Sequence, residues 1–200
     1  DLHPRVRRQR QMCIRDSEYG MIKKDDCITA ALSGGADSVC LLIILKELSD
    51  KYSFTLDALH INHCIRGKES DRDEEFCRNL CKKYDIPLTV IRTDVPAAAA
   101  ESKKSLEETA RDIRYKAFEK HAGDKGKIAT AHTVSDNAET VILNMARGTG
   151  LKGLCGIPPV RDNIIRPLID VTRQQIEDYL KSMNQGFAVS YTHLRAHETG

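Results

Sequence analysis

The chain has 200 residues, of which 40% are hydrophobic and 30% charged, and its formal net charge is +2. This size and composition are typical of one globular domain with its own core, and they leave little room for a second full domain. No apolar run reaches the roughly 18 residues of a membrane-spanning helix, and no segment resembles a signal peptide, so the sequence predicts a cytoplasmic protein without membrane contact.

Both ends of the chain lack the periodicity of a helix or a strand. Residues 1–17 contain five arginines and residues 190–200 are similarly irregular, so we expect both segments to be non-native appendages. Residues 18–189 then form the predicted domain, and they contain 25 basic and 26 acidic side chains. Because phosphate contacts need a concentrated basic surface, charge alone does not favour tight binding of nucleic acid by this domain.

Predicted strands and helices alternate along this domain. Short apolar runs bounded by turn residues predict strands at 27–32, 54–62, 87–92 and 127–132. Apolar residues at helical spacing predict helices at 38–49, 70–86, 105–123 and 135–148. This alternation is typical of an α/β fold with a doubly wound, mainly parallel sheet and helices on both faces. We expect five strands in the sheet and a ligand at their carboxyl ends.

The seven cysteines are scattered, without a CxxC pair. This pattern predicts reduced thiols rather than a disulfide framework. No Cys/His set has the regular spacing of a zinc site. Cys77 and Cys81 lie four residues apart in a predicted helix, beside Phe76 and Leu80, so we expect them to face the core.

A small-residue turn, SGGADS, joins the first predicted strand to the first predicted helix. A helix start at the carboxyl edge of a sheet presents backbone N–H groups to an anion. Gly34 and Gly35 allow close approach of the backbone, and Ser33 and Ser38 add hydroxyl groups. The turn is neither a Walker loop nor GxGxxG. Asp37 would repel a phosphate unless a cation lay between them, which predicts a polyphosphate with Mg²⁺, although a plain tight turn remains the alternative.

The turn and four later segments resemble a known family. SGGADS matches the SGGxDS signature of the PP-loop ATP pyrophosphatases, which cleave ATP between the α and β phosphates. HINHCIRGKESDRDEEF, SLEETARDIRYKAF, ATAHTVSDNAETVILNMARGTGLKGLCGI and IIRPLIDVTRQQIEDYL resemble, in this order, the catalytic domain of the tRNA(Ile)-lysidine synthetase family. The resemblance implies an ATP- and Mg²⁺-dependent ligase. Such an enzyme joins lysine to C2 of the wobble cytidine of tRNA(Ile) with a CAU anticodon, through an adenylated cytidine, and releases AMP and pyrophosphate.

The resemblance also implies roles for individual residues. The implied catalytic residues are Asp37, Asp136, Arg111, Arg114 and Arg147, with Asp37 and Asp136 also as metal ligands. The implied nucleotide-binding residues are Ser33, Gly34, Gly35, Ala36, Asp37, Ser38, His60, Asn62 and His132. His63 and Arg66 resemble members of the same substrate loop as His60 and Asn62. Relatives often have two consecutive acids at these positions, whereas this chain has Ser135 before Asp136. Any role that the first of the two acids has in relatives is therefore left open for this chain.

Each of these side chains also has an ordinary structural explanation. Asp136 lies where an acid caps a helix, unless Ser135 is the cap. Arg111 and Arg114 share a helix face and could pair with nearby glutamates. Arg147 could offset the negative end of a helix, and Glu139 could form a local ion pair instead of orienting Asp136.

Two other functions stay open at this point. A different PP-loop enzyme, such as a tRNA thiolase or an amide-forming synthetase, would use the same loop, although the lack of CxxC disfavours a cluster-dependent thiolase. A catalytically silent ATP-binding module is the other alternative. The family's carboxyl-terminal tRNA-binding domains have no counterpart here, so we expect weak tRNA binding, and a homodimer is left open.

Overall fold

A computed structural model describes residues 20–123, 126–150 and 154–188. The predicted appendages, 1–17 and 190–200, lie outside the described residues. The strands are β1 (Cys27–Ala31), β2 (Thr55–Asn62), β3 (Leu88–Arg92), β4 (Lys127–Ala129), β5 (Val160–Arg161) and β6 (Ile164–Ile165). The helices are α1 (Ala36–Tyr52), α2 (Lys68–Lys83), α3 (Val95–Ser102), α4 (Leu106–Ala122), α5 (Val134–Ala146) and α6 (Arg173–Ser182).

The strands form one sheet in the order β3-β2-β1-β4-β6-β5. Every neighbouring pair is parallel except β5 and β6. The predicted α/β class with a mainly parallel sheet is therefore confirmed. The sheet has six strands where we expected five, because two-residue strands such as β5 and β6 are too short to show a periodicity.

The buried residues explain why β1 lies at the centre of the sheet. Ile28 and Ala30 of β1 are each 1% exposed, and α1 covers the sheet with a continuous set of buried aliphatic side chains. Strands buried on both faces read as apolar runs, which is the pattern of the first predicted strand. Cys77 and Cys81 of α2 join the same core as predicted, and burial raises the pKa of the Cys81 thiol to about 11. These two thiols are thus poor nucleophiles.

The last helix, α6, packs on the first. Its apolar face, formed by Ile176, Tyr179 and Leu180, is buried in the core that α1 shares. Tyr179 Oη also donates to Glu47 Oε2 of α1 at 3.2 Å. This packing brings the amino-terminal ends of the two helices to the same edge of the sheet. None of the helices in the described ranges combines the length and apolar character that crossing a membrane requires.

We predict that Leu42→Ala destabilises the protein by about 2–5 kcal/mol, because Leu42 of α1 is fully buried and the change leaves a cavity. Urea unfolding followed by circular dichroism measures this free energy. Ile142→Ala is the control, since Ile142 of α5 is 64% exposed, and it should change the free energy of unfolding by less than about 0.5 kcal/mol. Equal effects of the two changes would contradict the described core.

Candidate active site

The loop between β1 and α1 is held together by Ser38. Its Oγ accepts hydrogen bonds from the backbone N–H groups of Ser33 and Gly34, both at 3.2 Å. The same hydroxyl donates to the Gly35 carbonyl at 2.9 Å. Ser38 was predicted to donate to an anion, but here its proton is used inside the loop. The first-turn amides of α1, from Ala36 onward, have no partner within the helix and are the groups that an anion could reach.

Contacts from other parts of the chain fix the position of this loop. His60 Nδ1, at the carboxyl end of β2, lies 2.8 Å from the carbonyl of Leu32; a carbonyl only accepts, so Nδ1 is the donor. The Gly34 carbonyl accepts from Ala188 N at 2.9 Å. Gly34 has φ +95°, and a Cβ there would lie 3.4 Å from Cys77 Sγ. The left-handed backbone conformation therefore disfavours a side chain at position 34.

Asp37, in the first turn of α1, faces a cation from the other end of the chain. Arg173 Nη1 lies 3.4 Å from Asp37 Oδ2, with Asp37 30% and Arg173 46% exposed at the side chain. Arg173 Nε also donates to Glu177 Oε1 at 2.8 Å. The hydrogen bond to Glu177 and the charges of Asp37, Glu177 and Asp136 raise the pKa of Arg173. Both predicted metal ligands thus lie near this guanidinium.

Asp136 takes part in capping α5. Its Oδ2 accepts from Thr133 N at 2.7 Å and from Thr133 Oγ1 at 2.8 Å. Thr133 is the residue that caps the helix, so the suggestion that Ser135 is the cap is wrong. The Thr133 N–H donates to the carboxylate of Asp136 because the first amides of a helix lack internal acceptors. The contacts with Thr133 fix the position of the Asp136 carboxylate. A separate hydrogen bond, from Val134 N to Val171 O at 3.2 Å, holds the start of α5 beside the amino-terminal end of α6.

Three arginines lie near His132 at the same sheet edge. Burial lowers the pKa of His132, and the charges of Arg166, Arg111 and Arg114 lower it further, against the opposing effect of Asp136. His132 Nδ1 lies 3.0 Å from Thr130 Oγ1, just beyond β4. The structure therefore brings the predicted Arg111, Arg114, His132 and Asp136 together in one electrostatic group.

The members of this basic group differ in their surroundings. The Arg111 guanidinium lies 5.1 Å from the centroid of the Tyr115 ring. Neither Arg111 nor Arg114 forms an ion pair with any carboxylate in the described ranges, so the suggested pairing with nearby glutamates is not found there. Arg166, which directly follows β6, is buried and donates from Nη1 to the Pro158 carbonyl at 2.8 Å. Arg166 is not among the site residues that the sequence predicts.

A buried carboxylate, Glu74 of α2, fixes the ends of β2 and β3. Its Oε2 accepts from Asn62 Nδ2 at 3.0 Å and from Arg92 Nε at 2.8 Å. Its Oε1 accepts from Arg78 Nη2 at 2.9 Å. Burial by itself would raise the pKa of Glu74, but the hydrogen bonds from Asn62, Arg92 and Arg78 lower it to about 2. The carboxylate thus stays ionised while buried.

Asn62 connects this network to the segment after β2. Its Oδ1 accepts from Cys64 N at 3.0 Å, and the buried amide leaves Asn62 occupied with structural contacts. A direct contact of Asn62 with a nucleotide stays a prediction. His63, next in the chain, has its pKa lowered by burial first and then by Arg114 and His60. Arg66 of this segment is exposed.

Arg147 lies apart from this group in the described contacts. It ends α5 and is exposed, and its backbone N–H donates to Leu143 O at 3.1 Å. Gly148 follows with φ +65°, as expected for a glycine that stops a helix. Glu139 is also exposed on α5. Residues 151–153, which follow the glycine segment, lie outside the described residues.

Three residues of this region were not predicted from the sequence, Glu74, Arg166 and Arg173. Glu74 is one of a run of acids in the amino-terminal half of α2, with Asp73 and Glu75 on either side of it in the sequence. Arg173 is a cation in the first turn of α6, where acids are favoured and none is present. That mismatch with the helix dipole is the signal that singles out Arg173. No such signal distinguishes Glu74 from its acidic neighbours.

The donor set around Asp37 fits Mg²⁺ better than a softer metal. In the described ranges no group of three or more His, Cys, Asp or Glu side chains could hold a metal ion. Mg²⁺ is typically held by one or two carboxylates together with phosphate oxygens and waters. Asp37 and Asp136, near one guanidinium and the start of α1, are the residues that would hold it. A nucleotide would have to supply further oxygens.

A glycine-containing loop that opens a helix at the carboxyl edge of a parallel sheet is typical of α/β proteins that bind anionic ligands. The PP-loop domain family matches residues 2–195 of the chain. The chain therefore belongs to the PP-loop family. This result confirms the resemblance that the SGGADS turn indicated.

The more specific resemblance is confirmed by curated relatives. The chain is 46% identical over 177 residues to the tRNA(Ile)-lysidine synthase of Caldanaerobacter subterraneus, which covers 88% of this chain and 38% of that protein. It is 49% identical over 162 residues to the tRNA(Ile)-lysidine synthase of Clostridium acetobutylicum, covering 80% and 35%. The chain thus spans a little over a third of the length of the curated relatives that it matches.

Solved structures with this fold include enzymes of different activity. The U34-tRNA thiolase NcsA from Methanococcus maripaludis has a TM-score of 0.70 at 17% identity, over 92% of this chain and 65% of that one. The NH3-dependent NAD synthetase from Campylobacter jejuni has a TM-score of 0.62 at 16% identity, over 100% and 80%. At such identities the likeness establishes the fold alone.

We predict that Glu74→Gln destabilises the protein by about 3 kcal/mol near neutral pH, because the amide cannot accept all of the charge-assisted hydrogen bonds. The folded pKa of about 2 lies below the ordinary 4.5, so ionised Glu74 stabilises the fold above pH 4.5. This contribution is lost as the pH falls toward 2. The difference in unfolding free energy between the two proteins should therefore shrink over this interval in urea titrations.

The matched control for this measurement is Glu75→Gln, which removes one exposed carboxylate from the same helix. It should change the free energy of unfolding by less than about 0.5 kcal/mol at every pH. A Glu74→Gln effect that is small, or that does not vary between pH 5 and pH 2, would contradict the network around Glu74.

Proposed function

We propose that this chain is the ATP-using part of an enzyme that joins lysine to C2 of the wobble cytidine of tRNA(Ile) with a CAU anticodon. One observation carries the proposal: the SGGADS loop places Asp37 at a sheet edge shared with Asp136, Arg111, Arg114 and His132. The name tRNA(Ile)-lysidine synthase, carried by relatives with 46% and 49% identity, supports this reaction over others of the PP-loop family.

The proposed reaction has two steps. The oxygen on C2 of the cytidine attacks the α-phosphorus of ATP, a P–O bond forms, and pyrophosphate leaves. The lysine amine then attacks C2, loses a proton, and expels AMP with that oxygen. Catalysis of both steps needs groups that hold phosphate oxygens and offset their charge.

The chain offers such groups on several elements. The first-turn amides of α1 would hold phosphate oxygens, with the positive end of the helix dipole behind them. Arg111 and Arg114 would bind further oxygens, since a planar guanidinium suits two at once. Arg147 would contact the nucleotide or the tRNA, while His60, Asn62 and His132 would lie on the adenosine side.

Asp37 and Asp136 would hold Mg²⁺ together with the nucleotide. When bound, this ion neutralises charge on the phosphates during departure of pyrophosphate. Asp136, whose position is fixed by Thr133, would alternatively face the amine of lysine. In that case its carboxylate would orient the attacking nitrogen toward C2.

The partners of the proposed enzyme are tRNA(Ile) and lysine. The chain covers 38% and 35% of the two relatives, and residues 18–189 carry a net charge of −1. This near-neutral charge supports weak binding of tRNA by residues 18–189. A homodimer and a cytoplasmic location stay predictions.

We predict that AMP release from labelled ATP depends on lysine, tRNA(Ile) and Mg²⁺ together, and that Asp37→Ala lowers its rate about 100-fold or more by removing a metal ligand. Thin-layer separation of AMP and pyrophosphate measures this rate at low salt with excess tRNA.

Asp50→Ala is the control, because Asp50 is an exposed acid of the same helix, paired with Lys46. Near-normal AMP release by Asp37→Ala would contradict the proposed role. Release that depends on sulfur or ammonia instead of lysine would point to another PP-loop enzyme, and nucleotide binding without turnover would point to a silent module.

We also predict that the chain retains tRNA(Ile) on filters at low salt and loses it at physiological salt, because too few cations are concentrated on the domain to hold many phosphates. The fraction of tRNA retained is measured against salt concentration. An unrelated tRNA serves as the control. Tight and selective retention of tRNA(Ile) at physiological salt would contradict this prediction.

A further inference from the structure

Arg173 stands out because its position is costly for the helix that carries it. It lies in the first turn of α6, and Thr172 caps this helix with a reciprocal capping box to Gln175. A cation at a helix amino terminus opposes the helix dipole. The capping box already satisfies the helix end. Within α6 the arginine pairs with Glu177 one turn later, but a cation that precedes its acid along a helix is the less favourable order for such a pair.

The tertiary structure supplies a reason. Arg173 Nη1 lies 3.4 Å from Asp37 Oδ2, and the charge of Asp136 acts on the same guanidinium. Packing of α6 on α1 and the hydrogen bond from Tyr179 to Glu47 hold the backbone of Arg173 beside the loop. The side chain is only half-buried, so it can move while its backbone stays in place.

Glu177 provides the second partner that such a movement requires. Arg173 Nε donates to Glu177 Oε1 at 2.8 Å, one helical turn away. If Nη1 leaves Asp37, the hydrogen bond to Glu177 keeps the guanidinium at the same edge. There its remaining N–H donors would face the first turn of α1, where phosphate oxygens are expected.

We infer that Arg173 is a phosphate-binding residue of this site and that it competes with the divalent cation for Asp37. The inference rests on the proposed function, because it assumes that ATP with Mg²⁺ binds at the SGGADS loop. With the cation bound, Asp37 would be a metal ligand and would no longer pair with the guanidinium of Arg173. Arg173 then donates to oxygens of the polyphosphate, so one cation–carboxylate contact is exchanged for another without leaving a charge uncompensated.

The inference predicts opposite effects of Arg173→Gln on two affinities. Binding of Mn²⁺ alone should become about 3- to 10-fold tighter, because a competing positive charge is removed from Asp37. Binding of α,β-methylene ATP with Mg²⁺ should become about tenfold weaker or more, because a charged donor to phosphate is lost. The electron paramagnetic resonance signal of free Mn²⁺ measures the first affinity, and calorimetry measures the second.

Arg161→Gln is the matched control, because it removes the same charge from an exposed arginine of β5, whose nearest acid is Asp162 at 3.8 Å. It should change either affinity by less than about twofold. Arg173→Lys keeps the charge but not the planar guanidinium with its paired N–H donors. It should therefore leave Mn²⁺ binding near that of the unmodified chain and weaken nucleotide binding. Urea unfolding checks that the variants remain folded.

Asp37→Asn separates failure of this inference from failure of the proposed function. If Asp37→Asn weakens Mn²⁺ binding but Arg173→Gln does not strengthen it, the competition is absent and the inference is overturned, while the metal role of Asp37 stands. Unchanged nucleotide affinity in Arg173→Gln also overturns the inference. If Asp37→Asn leaves Mn²⁺ binding unchanged, the proposed metal site itself is wrong.

Discussion

The parallel pairing of β1 with β2 on one side and with β4 on the other is the constraint on which the candidate site depends. Parallel strands end at the same edge, so the residues that follow them meet although they are far apart in the chain. His60 lies near the carboxyl end of β2, the SGGADS loop follows β1, His132 follows β4 and Arg166 follows β6. The apolar core holds this edge in place because β1 is buried on both faces.

The backbone conformation of the loop is determined by its own side chains and by its neighbours. Ser38 links Ser33, Gly34 and Gly35 through one hydroxyl. His60 Nδ1 binds the Leu32 carbonyl, and Ala188 N binds the Gly34 carbonyl. A loop fixed in this way does not need a ligand to define its shape. Such preorganisation lowers the entropy lost when an anion binds.

The fold is shared with enzymes that act on different substrates, including a tRNA thiolase and an NAD synthetase at 17% and 16% identity. At these identities the likeness establishes a common fold and no common activity, so a difference in activity must arise from side chains that each chain adds to the fold. In this chain the carboxyl edge of the sheet carries the arginines of α4, the capped Asp136 and the segment that Glu74 holds through Asn62.

The sequence by itself determined the alternation of strands and helices, the loop at 33–38 and the core positions of Cys77 and Cys81, because periodicity is a local property. It also indicated the family. Only the tertiary structure decided that Arg173 meets Asp37 across 136 residues, that Glu74 binds Arg92, and that β5 and β6 extend the sheet. These contacts depend on which surfaces pack together, and packing between distant segments leaves no local pattern in the chain.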